Sequence, residues 1–290
     1  MTKPFYITII TTLIIVFSLA FFGFRNMTTS FKSSIHYDLK NPSERFSLPK
    51  SLQEISGIDF LSPTILASIQ DEKGIVYFYD LATQRVQHHF KFEKKGDYEE
   101  VCMVENHIYI LRSDGDLYRI KNYKSDNPKV KKYETRLKSE NDTEGLCYDK
   151  ANNRLLILCK EKAGDKKKLK GHKAVYAFDL KEKKIDKKPV FTLDVEELAK
   201  CLNVKQSKFK YKPSAIEIHP IDGSIYIVDS IEKSLTQLSP SGEFSNIWLL
   251  PKTVLPQPEG IAFDLKGNLY ISTEASDNIE ASIVRFDIIN

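Results

Sequence analysis

Glu99, Glu144 and Glu259, together with Ser56 and Ser214, head five copies of one short phrase. Each copy runs Ser or Glu, a residue that is usually small, an aliphatic, any residue, then a large apolar side chain. The copies read Ser56-Gly57-Ile58-Asp59-Phe60, Glu99-Glu100-Val101-Cys102-Met103, Glu144-Gly145-Leu146-Cys147-Tyr148, Ser214-Ala215-Ile216-Glu217-Ile218 and Glu259-Gly260-Ile261-Ala262-Phe263. If their first positions converge, three carboxylates and two hydroxyls share a narrow space. Crowded carboxylates repel one another, so such a group must raise its pKa values, admit water or bind a cation. Calcium suits an all-oxygen set, because it takes six to eight oxygens at flexible geometry. The absence of neighbouring His or Cys argues against zinc or copper. These five residues are the candidate metal ligands, and calcium the candidate cofactor. A second reading is structural, with each Glu bonding backbone N–H groups of the next element and fixing its register.

The copies start 43, 45, 70 and 45 residues apart. Self-similarity near that period, with only short strand-like runs between, marks a β-propeller with four strands to a blade. In that architecture the phrase opens the innermost strand, and its first residue faces the axis. Glu54, Asp97 and Asp142, two residues upstream, join the same face if the strand extends that far. Blade one gives runs at Ile55–Phe60, Thr64–Ser68, Gly74–Tyr79 and Val86–Phe92, set between Ser-Pro, Asp-Glu-Lys and Ala-Thr-Gln breaks. The last blade is one strand short, and the segment Ile35–Leu48 can supply the missing one, closing the ring with both chain ends. Five blades are expected, or six if the interval of 70 residues hides another. That interval holds a basic loop, Lys166–Lys173, and a helix over Asp194–Asn203. The helix carries a capping-box pattern at Asp194 and Glu197 and an apolar face of Val195, Leu198, Ala199 and Leu202.

Composition narrows the classes. A net charge of +4 against 43 basic and 39 acidic residues describes a mixed surface and gives no support for a nucleic-acid partner. Cys102, Cys147, Cys159 and Cys201 form no CxxC pair and are expected as buried free thiols. Phe5–Phe24 is twenty residues without a charge, enough at about 1.5 Å each to span a bilayer core of about 30 Å. The reading is an uncleaved signal anchor over residues 1–25, a linker over 26–34 and a propeller domain over 35–290; a cleaved signal peptide is the alternative. The four-residue tail before the apolar run favours the amino terminus inside, placing the propeller on the extracytoplasmic side of the cell (inner) membrane as a single-pass protein.

The stretch Leu52–Phe60, Asp97-Tyr98-Glu99, Glu144-Gly145-Leu146, Pro213-Ser214-Ala215 and Pro258–Ala262 with Asn268–Glu274 resembles the SdiA-regulated (YjiK-like) family over roughly residues 48–287. The order Ser, Glu, Glu, Ser, Glu at the blade starts carries the resemblance; Pro-Glu-Gly-Ile-Ala alone is shared with NHL and gluconolactonase-type propellers. The resemblance implies a membrane-anchored bacterial propeller without an established reaction, with calcium in the fold. Two functions follow as expectations. One is a non-catalytic, calcium-binding module for a small-molecule or protein ligand. The other is a calcium-dependent lactonase- or phosphoesterase-like hydrolase, in which a ring glutamate of raised pKa serves as base. No Gly-x-Ser-x-Gly elbow or His-Glu-x-x-His motif is present, and no catalytic residue is assigned.

Overall fold

The computed structural model describes residues 36–164, 168–276 and 279–289. The segments read above as anchor and linker lie outside these, as do Lys166 and Lys167 of the basic loop. Among the described residues no helix is long and apolar enough to cross a membrane.

Among the described residues, twenty-one strands build five antiparallel sheets. A strand β1 (Glu44–Ser47) precedes the first phrase. Blade one follows as β2 (Ile55–Phe60), β3 (Ile65–Gln70), β4 (Ile75–Asp80) and β5 (Arg85–Lys91). Blade two is β6 (Tyr98–Val104), β7 (His107–Arg112), β8 (Leu117–Lys121) and β9 (Lys129–Tyr133). Blade three comprises β10 (Thr143–Asp149), β11 (Arg154–Cys159) and β12 (His172–Asp179), with an outer edge split between β13 (Lys184–Ile185) and β14 (Phe191–Asp194), both paired to β12. Blade four is β15 (Pro213–Ile218), β16 (Ile225–Asp229), β17 (Ser234–Leu238) and β18 (Phe244–Leu249). Blade five is β19 (Pro258–Phe263), β20 (Leu269–Thr273) and β21 (Ser282–Phe286), completed on its outside by β1. Five blades are therefore present, and the long interval holds insertions. One of them is the helix α1 (Val195–Cys201), whose Leu198 and Ala199 are buried between blades three and four. Asp194 caps α1 by accepting from the Glu196 N–H. Lys173 belongs to β12 and is buried, so the basic loop ends before it.

The inner strands touch in cyclic order, β2 with β6, β6 with β10, β10 with β15, β15 with β19 and β19 with β2. Each blade interface carries its own apolar cluster. Ala67, Ile69 and Val76 meet Val101, Ile108 and Ile110 between blades one and two, for instance, while Phe46, Ile283 and Tyr270 meet Ile58, Leu66 and Tyr79 where the ring closes. Outer strands are polar, and Lys129, Lys131 and Lys132 stand exposed on β9, which guards that edge against further pairing. Ile35–Asn290 forms a compact unit, which contains the described sheets and clusters.

Each of the five inner strands has a register shift at the head of the phrase. The shifts fall between Ile55 and Ile58, Tyr98 and Glu100, Thr143 and Gly145, Pro213 and Ala215, and Pro258 and Ile261. A bulge bends the strand and re-aims one side chain. It is thus the bulge residue itself, Ser56, Glu99, Glu144, Ser214 or Glu259, that repeats. Strand pairing starts at or near these positions, so Glu54, Asp97 and Asp142 lie in the connections before the strands, not on their faces as the sequence reading allowed. Next to each bulge the neighbouring inner strands come close. A Cβ on Gly57 would stand 2.7 Å from Glu100 Cα, and one on Gly145 2.8 Å from the Ile216 nitrogen. One on Gly260 would meet the Ser56 carbonyl oxygen at 2.5 Å. Backbone cannot retreat as a flexible side chain can, so Gly260→Ala is expected to cost about 1–3 kcal/mol of stability. Urea unfolding of residues 35–290 measures this, and the loss should appear as a lower midpoint at unchanged slope.

Candidate functional site

The bulges aim the three phrase-leading glutamates into one end of the central channel. Glu144 is buried, and its Oε1 accepts from Lys160 Nζ at 2.7 Å. Lys160 follows β11, the strand paired with β10, which brings its ammonium alongside Glu144. Burial, and after it the charges of Glu144 and Asp97, drive the Glu99 carboxyl well above the usual range. Glu259 is raised by burial and by Glu274 and Glu144, and its carboxyl has no hydrogen bond or ion pair among the described residues. Burial together with Asp71, Glu54 and Glu144 pushes Glu274 up to about 7. Lys160 acts on Glu99, Glu144, Glu259 and Glu274, lowering each, and its own pKa is raised by Glu144, Asp142 and Glu259 against the cost of burial. Lys160 thus serves four carboxyls, and Lys233 adds its charge at Glu259 alone.

The two serines of the ring do something else. Ser214 Oγ donates to the Pro258 carbonyl at 3.1 Å, and the Ser56 carbonyl accepts from Ser272 Oγ at 2.8 Å. They tie blade four to blade five and blade five to blade one. The five expected ligands therefore divide into three acids that face charge and two residues that staple backbone.

A second set of acids, absent from the sequence expectations, lies further along the inner strands. Asp59 accepts from its neighbour Phe60 N–H at 2.7 Å and from Met103 N–H of the next blade at 2.6 Å. Glu217 accepts from Ile218 N–H at 2.7 Å. Glu100, only 2% exposed, accepts from Val101 N–H at 3.0 Å through Oε1, while its Oε2 has no partner. The register role proposed for the strand-opening glutamates is taken by Asp59, whose bond from Met103 N–H reaches the next blade. Burial raises all three acids, with Asp59 reaching about 7; Asp59 further raises Glu217, and both raise Glu100. None forms an ion pair among the described residues.

The all-oxygen donors of the mouth have the chemistry calcium prefers. Among the described residues, however, no group of three or more His, Cys, Asp or Glu side chains is gathered for a metal ion. The Lys160 ammonium stands against Glu144 where a cation would sit. Cys102, Cys147 and Cys159 are buried free thiols as expected; Cys201, near the end of a short surface helix, is exposed, which corrects that part of the reading. His219 is buried and its Nδ1 pairs with Asp222 at 2.8 Å in the β15–β16 turn, and His88 and His89 lie on outer strand β5. At the opposite end of the inner strands a groove of about 680 Å³ is lined by Phe60, Phe263, Tyr270 and Leu265. Its charged groups are committed elsewhere: Arg285 pairs with Asp287 and Glu44, and Asp264 holds its own turn. The free carboxyls are at the mouth.

These features define a five-bladed β-propeller with an acid-lined channel mouth. The chain belongs to the SdiA-regulated family, whose sequence model matches residues 50–277. No curated protein matches it. Among solved structures it is similar to glutaminyl cyclase of Myxococcus xanthus, with 12% identity, a TM-score of 0.57, and coverage of 86% of this chain and 97% of that one. It is also similar to the PQQ-bound aldose sugar dehydrogenase of Streptomyces coelicolor, with 10% identity, a TM-score of 0.54 and the same coverage. At such identities the likeness is one of fold.

Asp59 and Glu274 are raised to about 7 from 3.8 and 4.5. Between those values the folded chain holds protons that the unfolded chain has released. Stability therefore falls as pH climbs through that window, and the whole penalty is present above it. The melting temperature of residues 35–290 should drop by several degrees from about pH 5 to about pH 8, and Glu274→Gln should flatten the curve.

Proposed function

We propose that the protein is a non-catalytic binding module, held at the extracytoplasmic face of the cell membrane, whose channel mouth receives a cationic group. The observation carrying this reading is the balance of charge around Lys160. Lys160 faces Glu99, Glu144, Glu259 and Glu274, and of these Lys233 adds its charge only at Glu259, whose carboxyl has no hydrogen bond or ion pair among the described residues. Protonation is the remedy these carboxyls use in isolation, and any cation that enters replaces the protons. Calcium is the inorganic candidate, supported by the all-oxygen donor set; to take it, Lys160 must leave Glu144 and the glutamates must turn inward. The apolar run Phe5–Phe24 supports the membrane attachment.

Titration calorimetry of residues 35–290 with calcium and with a simple alkylammonium salt tests the reading at about pH 7. At least one should bind and release protons, and Glu144→Gln should weaken the response about tenfold or more. Heat from neither cation, with an unchanged melt on adding either, would sink it. A panel of lactones and phosphoesters addresses the hydrolase alternative: turnover that Glu259→Gln abolishes would replace the binding reading with a catalytic one. For attachment, the full-length chain should remain with membranes through an alkaline wash, and release into the soluble fraction would overturn that part.

A further inference from the structure

Lys173, away from the glutamate ring, is buried and forms no ion pair among the described residues. Lysines are seldom buried unless paired, because the desolvated charge is costly. Lys173 is 8% exposed, and its ammonium has three N–H donors to place. One acceptor is present among the described residues, the Lys160 carbonyl. Burial, and after it the charge of Lys212, hold its pKa below the usual lysine range. The alternation of β12 explains the position. Ala174 and Tyr176 pack toward blade two, whereas Lys173 shares the face of Val175 and Ala177, which pack toward blade four.

On that side Lys173 lines a cavity of about 510 Å³, set between the start of β12 and the segment 206–212 that leads into β15. Gln206, Ser207 and Lys210 of its lining are exposed, so the cavity opens to solvent. Lys210 and Lys212 add their charges against one acid, Glu161, which pairs with Lys212. Asp229 and Glu232 stand outside the lining, and their carboxyls accept backbone N–H groups of Lys212, Glu232 and Lys210. Three lysines against one glutamate leave an excess of two positive charges. An apolar wall accompanies them. Phe209 and Tyr211 are buried with their rings stacked at 5.9 Å, and Tyr211 is fixed by a 2.9 Å hydrogen bond to Thr236.

This excess matches a phosphomonoester, which carries about −1.5 to −2 at pH 7, better than the single charge of a carboxylate. Lysine binds phosphate as a point charge, and the lining has no arginine fork to clamp a planar carboxylate. The volume falls within the range of small-molecule sites, about 300–1,000 Å³, and leaves room for an organic group beside the phosphate. We propose that this cavity binds a small phosphomonoester, with Lys173, Lys210 and Lys212 on the phosphoryl oxygens and Phe209 against the organic group. The site is separate from the cation reading and stands without it. Lys160 joins the two, giving its carbonyl to Lys173 and its ammonium to Glu144.

Calorimetry of residues 35–290 with phenyl phosphate, inorganic phosphate and benzoate tests this. Phenyl phosphate should bind at one per chain and about tenfold or more tighter than either of the others. Lys173→Met removes the buried charge and should weaken phenyl phosphate about tenfold or more, while the ligand-free melting temperature holds or rises. Lys210→Met, at an exposed position, should weaken it severalfold and keeps the test open should Lys173→Met fail to fold, as judged by circular dichroism. Absence of phenyl phosphate binding, equal binding of benzoate or inorganic phosphate, or an affinity that survives the substitutions overturns the proposal. Calcium and alkylammonium titrations report on the glutamate ring separately, so either proposal can fail alone.

Discussion

The constraint on which the rest depends is the approach of five strand edges around one axis. An inner strand pairs on one side only, so its other edge presents N–H and C=O groups to the channel, and buried groups of that kind require partners. At the crowded positions the answer is to remove side chains, as at Gly57, Gly145 and Gly260. Elsewhere it is to supply acceptors and donors from the strands themselves. Asp59 takes the Met103 N–H of the next blade, Glu100 and Glu217 take their neighbours' N–H groups, and Ser214 and Ser272 donate to carbonyls across two blade boundaries. The acids of the channel therefore arise first as a solution to backbone satisfaction.

That solution concentrates negative charge in a space with little water, and the two ends of the acid column handle it differently. At the mouth, Lys160 reaches in from the second strand of blade three and neutralises part of the ring. Deeper in, no lysine or arginine pairs with Asp59, Glu100 or Glu217, and protons are the only cations the chain supplies. The inner strands therefore run from a partly compensated set of carboxyls to an uncompensated one.

Much of the architecture was legible in the phrase. Its spacing gave five blades, and the short last repeat gave the closing strand, because both depend on local pattern. The bulges were not legible, since a bulge shows only when two strands are aligned residue by residue. That is why the sequence left open a place for Glu54, Asp97 and Asp142 on strand faces that in fact begin after them. Asp59 and Glu217 sat in full view at the phrase's unrestricted position, in a column with Cys102, Cys147 and Ala262. An acid there, between an aliphatic and a large apolar residue, was a signal that went unread. Lys160 is different in kind. It meets Glu144 only because β10 and β11 pair over their full length, and nothing around it in sequence marks it.

The pairing of β1 with β21 joins residues Glu44–Ser47 to Ser282–Arg285, nearly the whole chain apart. The first strand to leave the ribosome thus waits for the last. Until then blade five lacks its outer member and the Phe46 side of the closing cluster stays open, so the ring cannot be completed progressively during synthesis. Such a long-range closure is slow by nature and leaves sheet edges unprotected in the meantime. For a chain of this kind the most dangerous interval is the one just before completion. Removing β21 itself would prolong it indefinitely, leaving a nearly finished ring with nothing to latch.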